Sequence, residues 1–341
     1  MPAAVYVGDG QIEVQHLDVP EPGPDEVLVE ISDCGICGTD LHLVLDRYAR
    51  PGDILGHEWS GTVIGIEGAS TVWQPGSRVV GNPTPGCGRC RACEAGRPSV
   101  CLKRPPPDFL SWHGAFCRYM TVKAERLTRI PETLSIRDAA LTEPTAIAVH
   151  VVNMAAPGPD DRILVTGAGP VGLLTIAVLR SRGITDITVS EPSELRREHA
   201  LLAGAVSAIS PDDLAPAPMG RTAATAYSLV FECSGNARAI EIALDQLDYA
   251  GTLVLAGTGH DLPRLNHNRM IVMELSVVGA YNYDAAGFAP ALDLLASGSL
   301  DTNVLISGSD VGLDELLPTM HRLSRGEIAG KVLVQPVTSV T

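Results

Sequence analysis

Short apolar runs cut by Gly and Pro turns dominate the first 145 positions. The segments EVLVEIS (26–32), GTVIGIE (61–67) and SRVVGN (77–82) predict short strands, so this part of the chain reads as β-rich. From residue 162 the pattern changes. RILVTG, DITVSE, YSLVFECSG and GTLVLAG predict strands, and helices over 170–182, 193–202 and near 237–247 fall between them. Such alternation predicts an α/β fold with a parallel sheet covered by helices on both faces. Beyond residue 284 the chain predicts a helix in DAAGFAPALDLLASG, then VLIS, a helix around 313–325 and a last strand, GKVLVQP.

A chain of 341 residues has room for about two domains and a sizeable core. Its hydrophobic fraction of 45% argues for a folded globular protein, with 34 Gly and 25 Pro supplying the turns. A formal charge of −15, with scattered Lys and Arg, speaks against a nucleic-acid partner. The apolar stretch 171–179 is too short to cross a bilayer, and the first residues lack the pattern of a secretory signal, so no membrane partner and a cytoplasmic location are expected.

Eight cysteines in such a chain suggest thiols or metal ligands rather than disulfides. Four of them, Cys87, Cys90, Cys93 and Cys101, follow C-x2-C-x2-C-x7-C spacing, which lets one tight loop surround a tetrahedral zinc with no open position. That predicts a structural zinc. A zinc ribbon on nucleic acid has the same ligands, but the acidic composition disfavours it.

In VTGAGPVG, Gly167, Gly169 and Gly172 have G-x-G-x-x-G spacing between a predicted strand and a predicted helix, and Glu191 closes the next strand 19 residues after Gly172. Gly167 would make the turn, Gly169 would admit a pyrophosphate, and Gly172 would allow close helix packing, with Pro170 and Val171 opening the helix whose N-terminus faces the phosphates. Glu191 can hydrogen-bond the ribose hydroxyls and repel a 2′-phosphate, favouring NAD over NADP, although Arg196 and Arg197 stand nearby.

A further set of chemical groups lies in the β-rich part. GICGTDLH supplies Cys37, Thr39, Asp40 and His42; GHEWSG supplies His57 and Glu58; LTEPTAIAVH supplies Glu143. Cys, His and carboxylate are zinc ligands, and three of them with an open position make the catalytic form.

In GICGTDLH, GHEWSG, the four-cysteine lobe, HGAFCRYM, TEPTAIAVH, VTGAGPVG, FECSGN and VVGAYNY, taken in order, the whole chain resembles the zinc-dependent medium-chain dehydrogenase/reductase family. The resemblance implies a GroES-like catalytic domain over 1–145, a Rossmann domain over 146–283, and a C-terminal segment, 284–341, returning to the catalytic domain. It is closest to the branch of sorbitol, threonine and butanediol dehydrogenases, and it extends to aminocyclitol dehydrogenases. By resemblance, Cys37, His57 and Glu58 bind a catalytic zinc, and Glu143 either ligates it or accepts a hydrogen bond from its water. Thr39 takes the proton of the alcohol and His42 passes it on. Lys331 either approaches the cofactor pyrophosphate or is a solvated lysine. The segment LSVVGAY, 275–281, is an edge strand that pairs subunits into a dimer or tetramer. Two departures stand out: Cys37 and His57 are only 20 positions apart, implying an open cleft mouth, and His113 stands where relatives carry an acid, with Trp112 beside it as a pocket wall or a plain loop aromatic. Cys34, Cys117 and Cys233 are expected as buried thiols. The resemblance implies hydride transfer between a secondary alcohol and NAD; a quinone or enoyl reductase on the same fold and a silent nucleotide-binding protein are the competing readings.

Overall fold

The computed structural model describes residues 1–66, 72–83, 86–104, 114–215, 217, 221–284 and 287–336, so Trp112 and His113 lie outside the described residues. The first half begins with a hairpin of β1 (Pro2–Gly8) and β2 (Gln11–His16), followed by β3 (Glu26–Gly35), α1 (Gly38–Leu45), β4 (Glu58–Ile66) and β5 (Arg78–Gly81). After α2 (Arg91–Glu94) come β6 (Tyr119–Lys123), β7 (Leu127–Arg129), α3 (Ile136–Ala139) and α4 (Thr142–Ala155). Along β3, Val27, Val29 and Ile31 are fully buried and alternate with less buried positions, as a strand with one face on the core requires.

The second half contains β8 (Ile163–Thr166), α5 (Pro170–Ser181), β9 (Ile187–Ser190), α6 (Glu194–Leu202), β10 (Ser207–Ile209), β11 (Tyr227–Glu232), α7 (Ala237–Asp245), β12 (Leu247–Leu255), α8 (His267–Met273) and β13 (Ser276–Gly279). These strands form one parallel sheet in the order β10-β9-β8-β11-β12-β13, in which the direction of winding reverses between β8 and β11. That is the doubly wound order, and it leaves a crevice at the carboxyl ends of β8 and β11. Strand β8 is buried along its whole length, which suits a central parallel strand packed on both faces.

The remaining chain forms α9 (Phe288–Ala296), α10 (Thr302–Leu305), α11 (Leu316–Ser324) and β14 (Leu333–Val334). The segment expected to return at residue 284 first stays with the parallel-sheet half. Helix α9 buries Phe288, Ala291, Leu292 and Leu295 in the core that contains α4 and α5, because its apolar face matches theirs. The crossing comes later: Leu313, Leu316, Met320 and Leu323 join the core of the first half. Strand β14 then pairs antiparallel with the last residues of β3, Leu333 opposite Gly35 and Val334 opposite Cys34. Strand β13 lies at the edge of the parallel sheet, with Tyr281 exposed beyond it.

Candidate active site and metal centres

Three chain segments meet where β3 ends. Gly35 at that end pairs with Glu58 at the start of β4 and with Leu333 of β14, which brings Cys37, His57, Glu58 and Lys331 into one volume. The ligand atoms of Cys37, His57 and Glu58 all lie within 4.8 Å of one another, with His57 and Glu58 buried. Gly35 is required there: a Cβ would stand 2.2 Å from Glu58 Oε2. A sulfur, an imidazole and a carboxylate at this separation suit zinc with one position left open.

Asp40 is fully buried behind these groups. Its Oδ2 accepts from the Cys37 backbone N–H at 2.9 Å and its Oδ1 from Gly56 N–H at 3.3 Å, so it caps α1 and stands 3.6 Å from His57 Nδ1. Burial disfavours a charged His57, but Asp40 and then Cys37 outweigh it and lift the imidazole well above its usual pKa. Asp40 thus stands where an outer carboxylate would orient His57 as a metal ligand. The C-x-x-D spacing of Cys37 and Asp40 carried this signal in the sequence.

Lys331 departs from both expectations. It is neither solvated nor turned to a pyrophosphate: it is buried, with Nζ 2.7 Å from Glu58 Oε1, 2.6 Å from Glu58 Oε2 and 3.0 Å from the Ile36 carbonyl. Pairing with Gly35 delivers β14 against β3, and Lys331, two residues before β14, meets Glu58 there. Glu143 sits in the first turn of α4, outside the 4.8 Å group. Burial lifts its carboxyl to about 7; His57 and Lys331 pull it down, while Glu58 and Asp40 push it up.

On α1, Thr39 is exposed near the N-terminus and His42 follows one turn later. The Nδ1 of His42 lies 2.8 Å from Asp46 Oδ2. His260, from the loop after β12, reaches the same oxygen at 2.9 Å, a residue the sequence pattern did not single out.

In the four-cysteine lobe the sulfur of Cys90 lies 3.6 Å from that of Cys93 and 3.9 Å from that of Cys101. Tetrahedral zinc with bonds of about 2.3 Å requires sulfur separations of about 3.8 Å. Backbone N–H groups of Cys87 and Lys103 donate to Cys101 Sγ, and others pull the Cys90 thiol down to about 6, favouring the thiolate that binds metal. All eight cysteines are free thiols; Cys34 and Cys117 are buried, as expected, while Cys233 is partly exposed.

At the crevice, the glycine loop joins β8 to α5. Gly167 has φ +88°, a Cβ on Gly172 would meet the Gly167 carbonyl at 2.0 Å, and Gly169 faces open space. Pro170 and Val171 open the twelve-residue α5, whose N-terminal N–H groups face that space. Glu191 accepts from Ala168 N–H at 2.8 Å and Ser193 N–H at 2.9 Å, so it braces the glycine loop. A cleft of about 290 Å³ opens here, lined by Gly167, Glu191, Arg196, Ser234 and Arg238 among others. Arg196 borders this cleft, but its hydrogen bonds go elsewhere: it donates to the carbonyls of Ile328 at 3.1 Å and Leu323 at 3.0 Å, the end of α11 being within reach. Arg197 donates to the carbonyls of Glu191 and Pro192.

Residues 23–132 match the alcohol dehydrogenase GroES-like domain family and residues 170–297 the zinc-binding dehydrogenase family. Over an aligned length of 353, covering 98% of this chain and 97% of the relative, 31% of positions are identical to sorbitol dehydrogenase of Bacillus subtilis. The chain belongs to the zinc-dependent medium-chain dehydrogenase/reductase family. Another member of the family, L-threonine 3-dehydrogenase of Pyrococcus furiosus, is 32% identical over 94% of each chain. Among solved structures, a zinc-binding dehydrogenase from Sinorhizobium meliloti bound to NADP superposes with a TM-score of 0.86 at 29% identity, covering 98% of this chain and 99% of that one. The 2R,3R-butanediol dehydrogenase of Bacillus subtilis gives 0.86 at 26% identity over 98% and 99%. Both halves of the chain, the GroES-like one and the Rossmann sheet, are thus those of the dehydrogenase family. Among the described residues, no helix is long and apolar enough to cross a membrane.

Proposed function

We propose that this dehydrogenase oxidises a secondary alcohol of the polyol or aminocyclitol kind with NAD, and reduces the matching ketone in reverse. The observation that carries the reading is a Cys–His–Glu donor set and a glycine-loop crevice in one chain. Relatives named for sorbitol and threonine support the substrate class. The intact zinc donor set speaks against a quinone or enoyl reductase.

Cys37, His57 and Glu58 would hold the catalytic zinc, with Asp40 orienting His57, and the four cysteines would hold a structural one. When bound, zinc supplies Lewis acidity at the alcohol oxygen and NAD accepts the hydride. Thr39 Oγ1 accepts the hydroxyl proton and hands it to His42. Asp46, by accepting from Nδ1–H, leaves the His42 Nε2 basic and ready for that proton. Glu143, outside the ligand group and lifted to about 7, suits a carboxyl that hydrogen-bonds water at the open position.

NAD is the preferred cofactor in this reading. Glu191 lines the crevice where it would meet the ribose, Arg196 and Arg197 are engaged by backbone carbonyls, and Arg238, which also lines the crevice, pairs with Glu241. The exposed edge at β13 and Tyr281 suits pairing between two copies, giving a dimer or a tetramer built from dimers. The test is NADH formation, followed by absorbance with NAD and NADP, against polyols, inositols, aminocyclitols, threonine and simple secondary alcohols, with zinc per chain counted first. Turnover with two zincs and a preference for NAD supports the reading. Absence of turnover at two zincs, with NAD bound, favours a silent nucleotide-binding protein.

A further inference from the structure

A third group of donors converges between the two halves, toward the far end of the helix that begins at Cys37. His42 on α1, Asp46 at its end and His260 in the loop after β12 bring their ligand atoms within 4.8 Å of one another. The three separations are 2.8 Å between His42 Nδ1 and Asp46 Oδ2, 2.9 Å between His260 Nε2 and the same oxygen, and 3.3 Å between the two nitrogens. Ligands about 2.1 Å from one ion stand about 3.0 Å apart at right angles and about 3.4 Å apart in a tetrahedron, so the triangle already has the dimensions of one face of a coordination shell.

We propose that His42, Asp46 and His260 form a third metal site, which takes a divalent first-row transition ion and ties the two halves together when filled. Two imidazoles and one carboxylate are the donors such ions prefer, and calcium or magnesium would ask for more oxygens. The rings are held in place beforehand: His42 and His260 meet edge to face with centroids 4.9 Å apart, and Tyr48 packs on His260 at 5.5 Å. Arg47, next to Asp46 in sequence, pairs instead with Asp9 at 3.6 Å, which leaves Asp46 to the histidines. Hydrogen bonds from His42 and His260 hold the Asp46 carboxyl below the usual carboxylate range, so the charge a cation needs is present. All three side chains are partly exposed, at 40%, 41% and 52%, so the ion can arrive from solvent and keep water in its remaining positions.

The site spans 214 positions between Asp46 and His260 and joins α1 of the catalytic half to the Rossmann half. Filling it would employ His42 Nδ1 and draw α1 to the loop after β12. Excess metal is therefore expected to slow turnover without touching the Cys37 ligands.

The test is a metal count that needs no substrate. Protein holding two zincs is dialysed against rising Zn2+, and separately against Co2+ while retained zinc is measured. A third saturable metal per chain is expected, weakened roughly tenfold or more in His260→Ala and in Asp46→Asn. His260→Ala should also keep its activity at metal concentrations that inhibit the parent. Absence of a third equivalent, or equal binding by parent and both variants, would overturn the proposal and leave a hydrogen-bonded triad only. Parent-like melting temperature in both variants confirms that loss of the metal reflects the site rather than the fold.

Discussion

Replacing Lys331 by Met should expose how much the buried pair with Glu58 matters. At 2.6 Å and an effective dielectric near 20, the attraction is about 6 kcal/mol, set against a desolvation cost of several kcal/mol for each ion. In the zinc-depleted protein the intact pair is therefore worth little net, yet breaking it is costly, since Glu58 would be left buried with Asp40 and Glu143 as neighbours. Its escape is to take up a proton, and bringing an ordinary glutamate of pKa about 4.3 to the neutral form at pH 7 costs about 3.7 kcal/mol. That figure is the ceiling, so Lys331→Met should lose about 3 kcal/mol and lower Tm by about 4 °C at pH 7. Scanning calorimetry of zinc-depleted samples at pH 7 measures it, and Lys331→Arg should recover most of the loss. A Tm within about 1 °C of the parent at pH 7, both proteins being zinc-depleted, would refute the reasoning.

Cys93→Ser should lower zinc from two to one per chain and reduce Tm, read by elemental analysis and calorimetry, because a closed four-ligand site contributes directly to folding. Chelator should strip the Cys37 site first, since it has one sulfur where the other has four; equal release rates of both zincs would count against this. Glu191→Ser should weaken NAD and raise the NADP to NAD ratio of kcat/KM by roughly tenfold, about 1.4 kcal/mol; an unchanged ratio would remove Glu191 from cofactor choice. For Glu143 the zinc-depleted protein should lose stability as pH rises through about 7, because its raised pKa favours the protonated form below that range. Melting curves at pH 6 and 8 should show that slope, and Glu143→Gln should flatten it.

Local signals were legible in the sequence and distant ones were not. The four cysteines fall within 15 positions, and the glycine loop sits between one strand and one helix, so spacing alone described both. Cys37, His57 and Glu58 lie in two short motifs whose residue types already suggested a metal. Lys331 was missed because its partner is 273 positions away and nothing in GKVLVQP distinguishes a buried lysine from a solvated one. His260 was invisible for the same reason: a loop histidine after β12 gains meaning only when α1 folds against it. The carbonyl partners of Arg196, Leu323 near the end of α11 and Ile328 just beyond it, lie more than 120 residues later and left no sign in the local sequence.

The pairing of β14 with β3 also orders events in time. Strand β14, two residues after Lys331, is made about 300 residues after the strand it joins, and the whole Rossmann half intervenes between them. On a ribosome emitting residues in sequence, Cys37, His57 and Glu58 emerge early with no countercharge for the carboxylate, and Lys331 closes the site only after the Rossmann half has been made. Contacts so far apart along the chain make for slow folding. The Rossmann half can fold as soon as it is made, bringing the two ends of the catalytic half close before they pair.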